Sequence, residues 1–180
     1  PYATLFRSPV TGSPAWSHKG DQILFDSRPD GHSHIFSVPA AGGHPVQITF
    51  GNVNDIVPRW SIADQTVFFR SNRGGRWQIW KISIRGGEPQ PVTTDDGIVP
   101  QESPDGRWLY YTRGDESGLW RMPVAGGAET MVLPQPAAGY WGYWPVTARG
   151  IFYLDSRHAP AVIRLFDPDS GQTRAFANLR

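Results

Sequence analysis

The sequence contains no cysteine, and it shows no strong excess of charge of either sign. Without cysteine there is no disulfide framework, no thiolate metal site and no cysteine nucleophile. The formal net charge is +1, so no strong electric field draws the chain toward nucleic acid or an anionic membrane surface. No apolar run approaches the roughly 18 residues of a membrane-spanning helix. These absences exclude several function classes but do not indicate a task.

Familiar catalytic motifs are missing as well. The chain has no G-x-S-x-G elbow, no H-E-x-x-H, no Walker loop and no G-x-G-x-x-G after an apolar strand. Its arginines are scattered through turns with acidic residues between them, so no basic stripe forms. The segment Arg73-Gly74-Gly75-Arg76 is typical of a hairpin tip. The sequence therefore predicts a protein that is not an enzyme and does not bind nucleic acid.

Glycine and proline are what the sequence has in abundance. It contains 20 Gly and 17 Pro in 180 residues, spread along the whole chain, and 39% of its residues are hydrophobic. That apolar fraction can form a core, while frequent Gly and Pro limit helices and favour short strands joined by turns. Composition alone indicates an all-β protein.

An internal repeat of 40 to 44 residues organises these turns. One marker is a Gly-Gly pair, present at 42–43, 86–87 and 126–127, with Asp169-Ser170-Gly171 in the fourth position. A second marker is Pro-x-Trp-Ser or its equivalent, which occurs at 14–17, 58–61 and 100–103, with Trp144-Pro145 taken as the fourth Trp-Ser. After each of these comes an apolar strand such as Leu109-Tyr110-Tyr111. Four matched units predict a repeat architecture.

Each unit contains four short strands. The Trp of the first strand is expected to pack on the core, and the turn after it is best seen as Ser103-Pro104-Asp105-Gly106. Further strands are expected over Trp108 to Thr112, Gln78 to Ile82 and Pro45 to Thr49, and over Thr173 to Leu179 at the end of the chain. Four strands in about 42 residues are typical of a β-propeller blade. The sequence therefore predicts a β-propeller of four-stranded antiparallel blades.

The repeat also sets the expected boundaries. Residues 1–13 are interpreted as the remnant of a preceding blade or a closing strand, followed by blades at 14–57, 58–99, 100–143 and 144–180. Together these segments make one propeller domain or part of one.

Two of the segments resemble a known family. Residues 103–108, followed by Leu119-Trp120-Arg121-Met122 and Gly126-Gly127, are similar to the TolB-like, WD-like propeller repeat. Residues 150–155 with 167–171 are similar to late blades of TolB-like domains fused to bacterial winged-helix regulators. Ile62-Ala63-Asp64 and Thr147-Ala148-Arg149 stand where the family has Pro-Asp-Gly, so we expect these two turns to be built differently.

The resemblance implies a bacterial protein-binding module. In TolB itself it implies a periplasmic location and a partner such as the peptidoglycan-associated lipoprotein, and in regulator fusions it implies a cytoplasmic sensor domain. The family usually closes with six blades, more than 180 residues supply at this repeat length. We therefore expect either part of a longer propeller or a ring completed by association, and no closed stable monomer. Four blades alone would expose sheet faces carrying Trp and Tyr, which favours self-association.

Candidate binding residues lie in the connections between one blade and the next, at one mouth of the propeller. The carboxylates and amides there, among them Asn54, Asp55, Asp95 and Asp96, suit either turn formation or a Ca²⁺ ion in the channel. Both interpretations stay open, and no other cofactor is expected.

Glu102 replaces Trp in the repeat, and a buried carboxylate there would need Arg59, Arg107 or a ligand close by. His32 and His34 share the spacing of metal ligands on one strand face but follow an Asp-Gly turn, where exposed polar residues are usual.

The aromatic run over 140–144 offers a further binding surface. Trp141 and Tyr143 could form a stacking platform for a sugar, a peptide or an aromatic ligand, or they could pack between blades. Trp144 is interpreted as the repeat Trp.

We therefore predict a non-catalytic module that binds a protein or a small ligand at one mouth. The alternatives are a sensor domain of a transcriptional regulator, or the accessory propeller of an enzyme. That enzyme would be similar to prolyl-oligopeptidase-like serine peptidases or to oligogalacturonate lyases.

Overall fold

The computed structural model describes residues 11–136, 144–155, 157 and 159–178. In these residues the secondary structure consists of β-strands without a helix, and the strands form four antiparallel sheets of four strands each. The chain divides into two compact units, Pro1–Val99 and Pro100–Arg180. Across the described residues, no helix has the length and apolar character needed to cross a membrane. The predicted all-β fold with four four-stranded blades is confirmed.

Unit 1, residues 1–99, holds two sheets whose strands follow chain order. The first sheet contains β1 (Thr11–Trp16), β2 (Gln22–Ser27), β3 (His34–Pro39) and β4 (Val46–Gln47). The second sheet contains β5 (Asp55–Trp60), β6 (Thr66–Ser71), β7 (Gln78–Ser83) and β8 (Gln90–Pro91). In each sheet the first and last strands form the edges.

Unit 2, residues 100–180, repeats the arrangement. The third sheet contains β9 (Ile98–Glu102), which begins two residues before the unit boundary, then β10 (Trp108–Thr112), β11 (Leu119–Pro123) and β12 (Thr130–Leu133). The fourth contains β13 (Val146–Thr147), β14 (Gly150–Asp155), β15 (Val162–Asp167) and β16 (Gln172–Asn178). The strand expected over Thr173 to Leu179 is β16.

The core of unit 1 consists of the apolar side chains of both sheets. Leu24 of β2, Ile35 of β3 and Phe69 of β6 are fully buried and belong to one hydrophobic cluster. Trp60 joins that cluster with only 5% of its surface exposed, and its Nε1–H donates to the Ala15 carbonyl oxygen on the first sheet (3.0 Å). The expectation that the repeat Trp packs on the core is therefore right for Trp60.

Trp16 occupies the same place in the first sheet, and there the expectation is wrong. Trp16 pairs with Ile23 as Trp60 pairs with Val67, yet 60% of its surface is exposed. The reason is positional, because Trp60 packs against the preceding sheet and the described residues contain no sheet preceding β1.

The first strands share a β-bulge. Ser13, Val57 and Val99 all have left-handed backbones, with φ of 51°, 55° and 53°, and each is followed by proline. In β1 and β5 the pairing register shifts around this residue. Proline has no N–H to donate, so it fits a bulge where the ladder is interrupted.

The turn after the first strand also repeats, with a serine at its start. Ser61 Oγ accepts hydrogen bonds from the backbone N–H groups of Gln65 (3.3 Å) and Thr66 (3.0 Å). Asp64 has φ of 54°. It occupies the position that Gly20 (φ of 74°) and Gly106 (φ of 71°) hold in the corresponding turns of the first and third sheets. Our expectation of a different turn at 62–64 was wrong, because aspartate tolerates the left-handed conformation that glycine otherwise supplies.

The fourth sheet differs from the other three. Its turn is shortened, because only Ala148 and Arg149 separate β13 from β14. Val146 pairs with Ile151, so Val146 occupies the repeat Trp position. Placing Trp144-Pro145 there was wrong by two residues, although Trp144 is fully buried. The shorter turn shifts the register of the strand that precedes it.

Candidate functional site

Four predicted site residues of unit 1 lie at one end of its sheets, which we call the connection end: Asn54, Asp55, Asp95 and Asp96. This end carries the connections β2–β3, β4–β5, β6–β7 and β8–β9. Asn54 ties three of them together, since its Oδ1 accepts from the Ser33 N–H (3.1 Å) and its own N–H donates to Asn72 Oδ1 (2.8 Å). Asn54 is therefore a structural link between the two sheets.

Asp55 forms a buried ion pair. Its side chain is 0% exposed, and Oδ2 lies 2.6 Å from Arg73 Nη2. The Arg73 guanidinium stands 5.7 Å from the centre of the Phe69 ring and 5.5 Å from that of Trp80, in the range of cation–π contacts. Asp55 Oδ1 is buried without a hydrogen-bond partner in the part of the chain described. Asp55 thus supports the β6–β7 hairpin and is closed to a ligand in this arrangement.

Asp95 and Asp96 also face arginines of the same hairpin. Arg70 donates from Nε (3.1 Å) and Nη2 (2.7 Å) to Asp96 Oδ1, and its guanidinium lies 4.6 Å from the centre of the Trp77 ring. Asp95 and Arg76 make a looser pair at 3.6 Å, with 59% and 62% of their side chains exposed. Asp55, Asp95 and Asp96 thus have three different arginine partners. Over the described ranges, no group of three histidine or acidic side chains is placed to hold a metal ion.

Arg59 lies within the electrostatic influence of the Asp26 carboxylate. Arg59 Nη1 donates to the Pro58 carbonyl oxygen (2.9 Å). Burial lowers the pKa of Arg59, while the charge of Asp26 opposes that change. Burial raises the pKa of Asp26, although hydrogen bonds from the Val57 N–H and Ser13 act against it. The Val57 N–H donates to Asp26 Oδ1 (3.3 Å), and this hydrogen bond joins β2 of the first sheet to β5 of the second.

Glu102 and Arg107 are both at the β9–β10 turn. Arg107 Nε lies 2.5 Å from Asp105 Oδ2. Glu102 Oε1 packs against the turn glycine, 3.4 Å from where a Cβ on Gly106 would stand. Arg107 is thus paired with Asp105, and the charge of Asp26 acts on Arg59.

The remaining predicted residues have separate outcomes. Trp141 and Tyr143 lie outside the described residues. His34 is buried, contrary to the expected exposed turn, and its Nε2 lies 3.3 Å from Asp30 Oδ2. Trp144 is held through its backbone, because Gln101 Nε2 donates to the Trp144 oxygen (2.9 Å) and Gln101 Oε1 accepts from the Val146 N–H (3.2 Å). The role of Gln101 was not predicted.

Two grooves that were not predicted lie at the opposite end of the sheets, which we call the turn end. In unit 1 a groove of about 480 Å³ lies between the two sheets, and in unit 2 a groove of about 440 Å³ occupies the equivalent place. The second is lined by charged and aromatic side chains, among them Asp105, Arg107, Trp108, Arg149 and Asp169. Both volumes fall in the range of small-ligand sites. The charged residues in the turns of each unit were the sequence signal that could have indicated these two grooves.

The exposed surface of the connection end has one prominent apolar group. Phe50 lies in the β4–β5 connection with 64% of its surface exposed. The same end carries the exposed Asp95–Arg76 pair, and the partly buried arginines Arg70 and Arg73 are fixed by their own ion pairs. An exposed aromatic side chain at an end that also carries fixed charges is typical of protein-binding surfaces.

Comparison with known proteins gives a family and a fold. The family model of the TolB beta propeller domain matches residues 6–176. A search of curated proteins gives no match. Among solved structures, one described as TolB from Agrobacterium tumefaciens is 21% identical with a TM-score of 0.78, covering 96% of this chain and 67% of that one.

Two further structures share the fold. TolB from Acinetobacter baumannii is 16% identical with a TM-score of 0.72, covering 90% of this chain and 42% of that one. A puromycin-hydrolyzing peptidase from Mycobacterium tuberculosis is 14% identical with a TM-score of 0.71, covering 93% of this chain and 28% of that one. The chain therefore spans less than half the length of these two.

Proposed function

The chain belongs to the TolB β-propeller domain family, and we propose that it is a non-catalytic module that binds a protein partner at the connection end of unit 1. The observation that carries the proposal is the exposure of Phe50 on a surface whose charged groups are already fixed. A partner that covers the Phe50 ring gains the burial of its apolar surface, and the arginines at the same end are already ordered by their own ion pairs.

The carboxylates of this end support binding indirectly. Asp55 forms an ion pair with Arg73, and Asp96 forms one with Arg70. These two ion pairs support the β6–β7 hairpin. Arg76 and Asp95 are exposed and would form the polar rim around the apolar contact. Asn54 belongs to the proposed site as a positioning group. Arg59 lies near the opposite end of β5 and is not part of it.

The partner and the location follow the family resemblance. We propose a bacterial periplasmic setting and a partner such as the peptidoglycan-associated lipoprotein, which is therefore the partner to test first. Surface plasmon resonance with the immobilised lipoprotein, lacking its lipid, would measure the affinity of the full chain. We expect Phe50→Ala to weaken binding by tenfold or more, as truncation of a central aromatic contact does.

The matched control is Met131→Ala. Met131 is 38% exposed on β12 in unit 2, outside both the connection end of unit 1 and its turn end, so its loss should leave the affinity unchanged. Equal affinities of the wild-type chain and Phe50→Ala would reject the connection end as the binding surface. Equal losses in both variants would point to a general effect on the fold.

A second candidate role is that of an accessory domain in a larger enzyme. It is favoured by the match of 93% of this chain to part of the puromycin-hydrolyzing peptidase. A hydrolysis assay on puromycin with the chain alone and with any longer protein that contains it distinguishes the two roles. Activity only in such a longer protein supports the accessory role, and no activity in either supports the binding module.

A further inference from the structure

The groove of unit 1 at the turn end lies apart from the proposed partner surface. We call it the basic groove and define it by Lys19, His44, Arg85, Trp60 and Val46, which line it together with parts of the β1–β2 and β5–β6 turns. Its volume is about 480 Å³, and residues of both sheets form its walls. The groove is a property of the packing of the two sheets, because neither sheet forms it alone.

Three basic side chains line this groove and are not used elsewhere. Lys19 comes from the β1–β2 turn, His44 from the β3–β4 connection and Arg85 from the β7–β8 connection. Among the described residues, none of the three side chains makes a hydrogen bond or an ion pair. Their donors are therefore available to an acceptor that enters the groove.

The two carboxylates that line the groove already accept hydrogen bonds from the protein. Asp64 accepts from the backbone N–H groups of His18 (2.9 Å) and Lys19 (3.0 Å), and its Oδ1 lies 3.0 Å from His18 Nδ1. Asp21 Oδ1 accepts from Ser17 Oγ (2.9 Å). Asp64 in particular is held against the β1–β2 turn, so it competes weakly with an incoming anion for the three basic groups.

The groove also has an apolar wall. Trp60 and Ile84 line it, and Val46 is 61% exposed at its edge. Inorganic anions gain nothing from such a wall, whereas a molecule that joins carboxylates to an apolar side chain uses both parts of the lining. The volume falls in the range that encloses a ligand of drug or short-peptide size.

We propose that the basic groove binds a short acidic peptide segment, with its carboxylates on Lys19, His44 and Arg85 and an apolar side chain against Trp60 and Val46. The site is separate from the connection end, so a partner could engage both ends of the same sheets.

The test uses the full chain and two tripeptides with blocked termini. One is glutamate–leucine–glutamate and the other is its charge-reversed form, lysine–leucine–lysine. Isothermal titration calorimetry at low salt should show saturable binding of the acidic peptide, at least tenfold tighter than that of the basic one. The double variant Lys19→Gln, Arg85→Gln should weaken acidic-peptide binding by tenfold or more, because each charge-assisted hydrogen bond contributes to it. The control Arg174→Gln changes an exposed arginine of β16, outside the groove, and should have no effect.

The location is checked separately by the indole ¹H–¹⁵N signals of the tryptophans. The Trp60 signal, assigned with Trp60→Phe, should move on addition of the acidic peptide, while that of Trp120 in unit 2 should not. Equal binding of the two peptides, or unchanged binding in the double variant, overturns the proposal. Displacement of the peptide by inorganic phosphate at an equal concentration would overturn the peptide assignment, because the apolar wall would then contribute nothing.

Discussion

The carboxylate of Asp64 in the second sheet binds the backbone N–H of His18 in the first, at 2.9 Å. The same carboxylate also accepts from the Lys19 N–H at 3.0 Å, so one side chain joins the β1–β2 and β5–β6 turns. Burial would raise the pKa of Asp64, but the hydrogen bonds from His18 and Lys19 outweigh it and lower that pKa. A residue that replaces the turn glycine thus gains a second role in holding two sheets together.

This dual role separates two variants of Asp64. Asp64→Gly keeps the left-handed turn and loses the contact, which should reduce the free energy of unfolding by about 1–3 kcal/mol. Asp64→Ala loses the contact and also places a Cβ in the left-handed region, at a further cost of about 1–2 kcal/mol. Urea denaturation followed by tryptophan fluorescence would measure both. Equal stability of the two variants would show that the turn has relaxed to another conformation.

The two tryptophans of the repeated first strand should respond very differently to truncation. Trp60→Ala removes a buried ring from the core of unit 1 and should cost about 3–5 kcal/mol. Trp16→Ala changes a ring that is 60% exposed and should alter stability by at most about 0.5 kcal/mol. Thermal unfolding of dilute samples checks this comparison. A large loss in Trp16→Ala would mean that Trp16 is buried in solution.

Trp16 also gives a test of self-association. Its ring is exposed at the position where Trp60 meets a neighbouring sheet, so we expect a second copy of the chain to cover it at high concentration. Sedimentation velocity over a range of concentrations should show association that Trp16→Ser weakens. Val46→Ser is the control, since Val46 is similarly exposed on another strand. A wild-type chain that is monomeric at every concentration would contradict the expectation.

The sequence predicted the fold well because the repeat is local. Glycine pairs and the turn serines recur in the first three repeats, and the apolar second strands recur in all four. Such features determine strands and turns over a few residues. It failed at Trp16 and Trp144. Burial of Trp16 depends on a sheet absent from the described residues, and the register at Trp144 depends on the short Ala148–Arg149 turn.

The site was harder to predict than the fold. The sequence singled out Asp55, Asp95 and Asp96 as candidate binding residues, and in the structure all three lie near one end of the sheets. Two of their arginine partners are distant along the chain, since Arg73 is 18 residues from Asp55 and Arg70 is 26 residues from Asp96. Both arginines belong to the β6–β7 hairpin, whose tip the sequence indicated only as a turn. Pairing of long side chains across a sheet depends on rotamers and packing, which spacing alone does not determine.

Asp155 offers a prediction of pH dependence. Hydrogen bonds from Arg157 lower the pKa of this buried carboxyl, burial opposes them, and Arg164 adds a further hydrogen bond. A folded-state pKa below the unfolded value of about 3.9 means that the carboxylate stabilises the fold above that pH. Its contribution is lost as the pH falls toward the folded-state pKa.

We therefore expect Asp155→Asn to destabilise the chain at pH 7 by about 1–3 kcal/mol. The difference from wild type should shrink when urea unfolding is repeated below pH 4. The control is Asp169→Asn, an exposed residue with no side-chain hydrogen bond among the described residues, which should change stability little at either pH. A difference for Asp155→Asn that is the same at pH 7 and pH 3 would mean that the ion pairs do not stabilise the fold.

Arg73 and Arg76 lie three residues apart on one hairpin, and their loss should destabilise the chain to very different degrees. Arg73→Ala leaves the fully buried Asp55 carboxylate without its ion-pair partner, which should cost about 3–5 kcal/mol. Arg76→Ala removes an exposed pair at 3.6 Å and should cost less than about 1 kcal/mol. Chemical denaturation at neutral pH measures both. The double variant Arg73→Ala, Asp55→Asn should recover part of the loss, because it removes the stranded charge. Failure to recover would assign the role of Arg73 to its contacts with the Phe69 and Trp80 rings, and the connection end would then be held by packing more than by charge.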